Sequence, residues 1–192
     1  MPLFAPGMAY VLETQFFSAI KKKSGKAKKT KELKALASAI AAGAIGSIIK
    51  SRGSIAPTGG LGSTAFGLKG VSSRNIRDVI IADWKNKFKG ANMEKSMMRD
   101  LAQAIGLSLV AQLNNAQIIG TDAGKASKFK GWTASQMASI MLSQSGFKPN
   151  KYNRALFKII AGSITKEVQQ NAFAIILPSG APGTAGRIAI IF

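Results

Sequence analysis

Histidine and cysteine are both absent from the 192 residues. Without thiols there is neither a disulfide framework nor a thiolate metal site, and without imidazole the commonest general base and the commonest metal ligand are missing too. Acidic residues are scarce: Glu13, Glu32, Asp78, Asp83, Glu94, Asp100, Asp122 and Glu167 are the whole supply. Asp78 with Asp83, and Glu94 with Asp100, stand five and six residues apart, off a shared helical face, so no carboxylate pair is placed for acid–base work. An enzyme, a metal site and a cofactor are therefore not expected. Long apolar runs are lacking as well. The longest charge-poor stretch, Leu36 to Ile49, is shorter than the ~20 residues a membrane-spanning helix needs. The N-terminus lacks a basic region ahead of its apolar part and carries Glu13, which makes it a poor secretory signal, and a soluble protein is expected.

Lysine and arginine are abundant: 27 against 8 acids gives a formal net charge of +19. That excess predicts attraction to nucleic acid, an anionic membrane or an acidic protein surface. At 46% hydrophobic the chain also has enough apolar surface for a core.

Hydrophobic spacing predicts helices. Met8, Leu12, Phe16 and Ile20 fall four apart on one stripe of an N-terminal helix over residues 1–20, ending by Lys22. The next stretch, 21–34, reads as a lysine-rich arm or linker around Ser24-Gly25, with Lys21, Lys22, Lys23, Lys26, Lys28, Lys29, Lys31 and Lys34 opposed by Glu32 alone. A helical domain over 35–192 follows. From Lys31 a second helix, ending near Ser51 to Gly53, carries Leu33, Leu36 or Ala37, Ile40, Ala44 and Ile48, and small residues such as Gly43 and Gly46 let a neighbour approach closely. Ile55 to Gly70 reads as a turn-rich glycine loop. Ile76, Ile80 and Trp84 mark a third helix, and Met97, Leu101, Ala104, Ile105, Val110 and Leu113 a fourth between about Met93 and Asn115. Thr133 with Gln136 has the capping-box pattern at the start of a fifth, and Leu156, Ile160, Ile164 and Val168 mark the last. "RIAIIF" at the C-terminus is the one convincing strand. The fold class expected is mainly α, with glycine/proline-rich extended loops and a short C-terminal strand.

The phrase "IAPTGGLG", Ile55 to Gly62, returns as "ILPSGAPG", Ile176 to Gly183. Each closes a segment with an Ala/Leu/Ile helix, an Ile-containing exit and a glycine turn, over 35–62 and 155–183; a third segment, 100–124, follows the same order. Internal helix-plus-tail repetition and convergence of low-complexity helix chemistry both account for this.

Phosphate-loop patterns fail on inspection. "GTDAGKAS", Gly120 to Ser127, is one residue short between its glycines and has Ala126 where a magnesium-binding hydroxyl belongs. Lysines surround aromatic rings twice, with Lys85, Lys87 and Lys89 near Trp84 and Phe88, and Lys128 and Lys130 near Phe129 and Trp132. Such clusters suit secondary polyanion contacts with ring stacking on bases, but rings that anchor helix ends in the core are the favoured account. For the denser lysine stretch, 21–34, a solubilising linker and a polyanion-binding arm both remain open.

The stretch "LASAIAAGAIGSIIKSRGSIAPTGGLGSTAFGLKG", Leu36 to Gly70, resembles small virion structural proteins of tailed bacteriophages, in which an Ala/Ile helix leads into a Pro/Gly/Thr-rich tail. The lysine arm and the region from Val71 to Tyr152 depart from that pattern. The resemblance implies a non-enzymatic virion subunit at a neck, tail, baseplate or accessory capsid position. Its partners would be other virion subunits in a homo-oligomer or ring, and the basic arm would meet packaged DNA or an acidic neighbour. A non-specific nucleic-acid-binding protein is the alternative. A basic amphipathic protein acting on membranes through Met8 to Ile20 ranks behind both.

Overall fold

The path of the chain is set by three helical hairpins, each leaving its second helix into a pair of strands. The computed structural model describes residues 3–25, 30–55, 62–88, 95–121, 129–172, 174–177 and 188–191. Its elements run α1 (Ala5–Ser24), α2 (Lys31–Lys50), β1 (Arg52–Ile55), β2 (Gly62–Lys69), then α3 (Ser73–Lys87), α4 (Lys95–Asn115), β3 (Gln117–Thr121), β4 (Phe129–Lys130), then α5 (Ala134–Gln144), α6 (Lys151–Asn171), β5 (Ala174–Leu177) and β6 (Ile188–Ile191). The fold is mainly helical, and the order α-α-β-β occurs three times.

Consecutive helices pack on one another and α6 returns to α1, so the helices close into a ring. The strands pair antiparallel in the order β4-β3-β2-β1-β6-β5, with the hairpins β3–β4, β1–β2 and β5–β6 side by side. Second helices reach across to strands of another unit: α2 meets β6, α4 meets β2 and α6 meets β4.

Equivalent junctions recur in the same detail. Gly70 (φ 94°) and Gly131 (φ 80°) take the left-handed conformation that glycine adopts without strain. Each is followed by an apolar residue, Val71 or Trp132, and then by a helix cap. Ser72 accepts the N–H of Asn75 at 3.1 Å, and Thr133 that of Gln136 at 3.3 Å. Four and eight residues beyond these caps, Ile76 and Ile80 in α3 and Met137 and Met141 in α5 are fully buried. In α1, Phe4 holds the cap position, and Met8 and Leu12 occupy the same buried steps.

The core lies inside the helical ring. Leu36, Leu101 and Phe157 are buried at corresponding positions of α2, α4 and α6, and so are Ala39, Ala104 and Ile160. Two close approaches fix the ring's geometry. A Cβ built on Gly43 of α2 would collide with the Ile80 side chain of α3, and one built on Gly106 of α4 would lie 2.5 Å from the Ser73 carbonyl oxygen. Helix α2 is long and apolar enough to cross a membrane by length and composition, yet most of it is buried against its neighbours.

Several sequence expectations shift. Residues 62–69 of the expected glycine loop form β2, held between β1 and β3 by main-chain pairing that no local pattern announces. The C-terminal run is accordingly one strand of six. Among the described residues of the expected arm at 21–34, α1 continues through Ser24, where Gly25 (φ 66°) donates its N–H to Lys21 O, and α2 begins at the expected Lys31 behind the Thr30 cap. Lys26, Lys28 and Lys29 lie outside the described residues, as do the glycine-rich tails over 56–61 and 178–187. In α4 it is Met98 that enters the core, while Met97 is 47% exposed.

Glycine-to-alanine substitutions should divide by sign. Alanine gains up to about 1 kcal/mol of helix propensity over glycine, and nothing lies within 4 Å of a Cβ at Gly46 or Gly162. Gly46→Ala and Gly162→Ala should therefore raise the denaturation midpoint. Gly106→Ala presses on main chain rather than a movable side chain and should lower stability by about 2 kcal/mol through overpacking, with Gly43→Ala in between. Urea titration of the four variants checks the order.

Candidate polyanion-binding interface

Topology gathers the charge. Strands connect to the outer ends of each helical hairpin, so the inner helix ends, Ser24 and Lys31, Lys87 and Lys95, and Gln144 and Lys151, lie at the pole away from the sheet. Each pair of ends is flanked by cations. Lys21 and Lys22 sit exposed in the last turn of α1, and Lys31 and Lys34 exposed at the start of α2. Lys85 and Lys87 close α3, with Arg99 exposed near the start of α4. Lys148, Lys151 and Arg154 are exposed around the start of α6, with Lys158 one turn on from Arg154.

The third hairpin is the least compensated. No Asp or Glu occurs between Asp122 and Glu167, whereas Lys125, Lys128, Lys130, Lys148, Lys151, Arg154, Lys158 and Lys166 do. Its turn is rigidly built: the Asn150 side chain accepts the N–H groups of Tyr152 and Asn153 at 2.9 Å each, and Asn153 Nδ2 donates to Lys148 O at 2.8 Å. Phe147 meets Phe157 edge-on, ring centroids 6.0 Å apart. Between α5 and α6 runs a groove of about 550 Å³, lined by Ser135 and Ser139 on one side and Arg154 and Lys158 on the other. Two hydroxyls, an ammonium and a forked guanidinium together offer donors to anionic oxygens and no competing acid.

The corresponding groove between α3 and α4, about 370 Å³, is lined by Arg77, Asp78, Trp84, Lys85 and Arg99 among others. There Asp78 holds Arg77 at 2.7 Å, with Arg77 Nε donating to the same carboxylate oxygen at 2.8 Å. Lys87 is engaged too, bridged to Asp83 at 3.0 Å and donating to Ser38 Oγ at 2.5 Å. Lys85 and Arg99 are the cations of this hairpin that face the groove without one of these carboxylate bridges.

Helix direction sharpens the asymmetry. The N-termini of α2, α4 and α6 all point to this pole, where the backbone dipoles already present partial positive charge. No acid lies in the first turn of α4 or α6, and only Glu32 in that of α2. Cations placed on positive helix ends cost stability and raise the local potential.

Of the residues singled out in the sequence, Lys21, Lys22, Lys23, Lys31 and Lys34 belong to the hairpin of α1 and α2, and Lys85 and Lys87 to a second turn at the same pole. Lys26, Lys28, Lys29, Lys89 and Lys128 lie outside the described residues. Lys130 falls in β4 at the sheet end, away from the turns. Trp132 is 2% exposed and Trp84 5%, so neither ring can stack on a base; both are core anchors, and the contact proposed for Trp132 is corrected. The sequence reading missed Lys148, Lys151, Arg154 and Lys158, although the acid-free run that contains them was visible. Among the described residues no group of three or more acids could hold a metal ion. No protein-family model, no curated protein and no solved structure matches this chain.

A binding role at the expense of stability has a distinct signature. Lys31→Glu and Lys151→Glu each place an acid at a positive helix end and should raise the melting temperature while weakening binding to duplex DNA. Melting curves and fluorescence anisotropy on the same variants check both signs.

Proposed function

We propose that this chain is a non-enzymatic structural subunit that grips a polyanion, nucleic acid above all, through its basic pole. The observation that carries this reading is the convergence of three cation-flanked helical hairpin ends, with the acid-free groove of Arg154 and Lys158 running along one hairpin between α5 and α6. Recognition of this kind is of the phosphate backbone and not of sequence, because the basic side chains sit on exposed helix ends and the tryptophan rings are buried.

Within that role we place the chain in a tailed-phage virion, at a neck, tail, baseplate or accessory capsid position, with the basic pole toward packaged DNA or an acidic neighbouring subunit. Three α-α-β-β units with equivalent caps and buried positions support reading segments 35–62, 100–124 and 155–183 as copies of one helix-plus-strand element. The membrane reading is less favoured: of the stripe from Met8 to Ile20, Met8, Leu12 and Phe16 are at most 4% exposed inside the core, and Ile20 is 41% exposed.

Affinity for duplex DNA of any sequence should fall steeply with added salt as counterions are released. The double variant Arg154→Gln/Lys158→Gln should flatten the slope of log K against log salt by about 0.9 for each phosphate that is no longer neutralised. An unchanged slope and affinity would remove this groove from the interface. Tag-directed labelling of purified particles should give a fixed copy number per virion, and particles lacking the label would overturn the virion placement.

A further inference from the structure

A second groove opens at the same pole, where the first and third hairpins meet. It encloses about 290 Å³ and is lined by Phe16, Ile20, Leu33, Tyr152, Leu156 and Ile159 together with Ala19, Leu36, Asn153 and Ala155. Only Asn153 and the Tyr152 hydroxyl bring polar atoms to this lining from their side chains. Leu33, Leu156 and Ile159 remain half-buried, Ile20 is 41% exposed and Tyr152 55%. A patch of this kind, apolar and rimmed by charge, marks an interaction surface more than a solvated face.

We infer that this groove docks an acidic amphipathic helix from a partner protein. Three observations select that occupant. First, the volume sits at or below the small end of the range for small-molecule pockets, about 300 to 1,000 Å³, and suits a few inserted side chains. Second, the α6 wall runs from Tyr152 to Ile159, two helical turns or about 10 Å, the span of apolar anchors at i, i+3 or i+4, and i+7 on a docked helix. Third, the rim is basic: Lys21, Lys22, Lys31, Lys34, Lys151 and Arg154 are exposed at the ends of the same helices, with Glu32 the one acid beside them. A second copy of this chain, at +19, would be repelled from such a rim. An acidic partner with an apolar stripe satisfies both the lining and the rim.

The inference stands apart from the phosphate contacts of the groove between α5 and α6, because it depends on apolar anchors. The test uses the full chain and three fluorescein-labelled helical peptides: one with Leu at i, i+4 and i+7 and Glu on the opposite face, one with those Leu residues replaced by Ser, and one with Glu replaced by Lys. The first should bind with a micromolar dissociation constant and the other two at least tenfold more weakly. Tyr152→Ala and Ile20→Ser, both at exposed positions, should each weaken the first peptide at least tenfold while leaving duplex DNA affinity within twofold. Circular dichroism melts would establish that these variants are folded. Equal binding of the Leu and Ser peptides would reduce the effect to charge alone and overturn the inference. Insensitivity to both substitutions would overturn it too, as would capture of anionic vesicles by these residues with no peptide bound.

Discussion

The close approach of α3 to the helices on either side of it governs the rest of the architecture. Gly43 lets the Ile80 side chain lie against the α2 backbone, and Gly106 lets the start of α3 lie against α4. Any larger residue at these contacts would push the helices apart, because a packed interior cannot absorb even one added methyl without displacement. With α3 seated between α2 and α4, consecutive hairpins pack edge to edge and the helices form a ring. The helix ends away from the strands, Ser24 and Lys31, Lys87 and Lys95, Gln144 and Lys151, then gather at the pole opposite the sheet. The basic character of that pole is thus a consequence of helix packing combined with lysine placement, and neither alone would produce it.

Placing cations there conflicts with local helix energetics. Lys31 and Lys151 open helices whose N-termini favour acids, and Thr30 and Asn150 caps only satisfy backbone donors without offsetting the charge. At the same pole Lys21 and Lys22 in α1 and Lys85 and Lys87 in α3 follow the stabilising rule, standing at helix C-termini where cations are favourable. Violations of a local rule that recur at one surface point to a function exercised at that surface. The same contrast separates the two lateral grooves. Asp78 ties down Arg77 in one, while the stretch around Arg154 and Lys158 has no carboxylate in sequence for more than forty residues.

Helix stripes were legible because burial repeats with the helical period. Met8, Leu12 and Phe16, then Ile76, Ile80 and Trp84, then Ile160, Ile164 and Val168, are core residues at the predicted spacing. The sheet was not legible. A stretch such as "GSTAFGLK" has little strand propensity of its own and is a strand because β1 and β3 pair with it on both sides. At the edges of the lysine stretch, α2 begins at the expected Lys31 behind the Thr30 cap, whereas α1 runs two residues past Lys22 to Ser24, where Gly25 caps it. Of the candidate interface, the lysines of the first hairpin were visible as a cluster. Their union with Lys85 and Lys151 was not, because that neighbourhood exists only once the ring closes.

Closure of the ring also explains where the apolar groove falls. Helices α2, α3 and α4 meet through small residues and mutual burial, but α1 and α6 are joined in part by polar contacts. The Phe4 N–H donates to Glu167 Oε1 at 3.2 Å near the sheet end, and Ser163 Oγ lies 3.1 Å from Gln15 Oε1 farther along. Toward the pole the two helices line the groove with Phe16, Ile20, Tyr152 and Leu156. Leu156 fits the helical stripe that otherwise enters the core, yet it is only half-buried because the seam is open at its level. An apolar residue in register with the core but left short of burial is the mark of a face whose last packing partner comes from outside the chain. The basic rim determines that this partner must bring acid with its apolar surface.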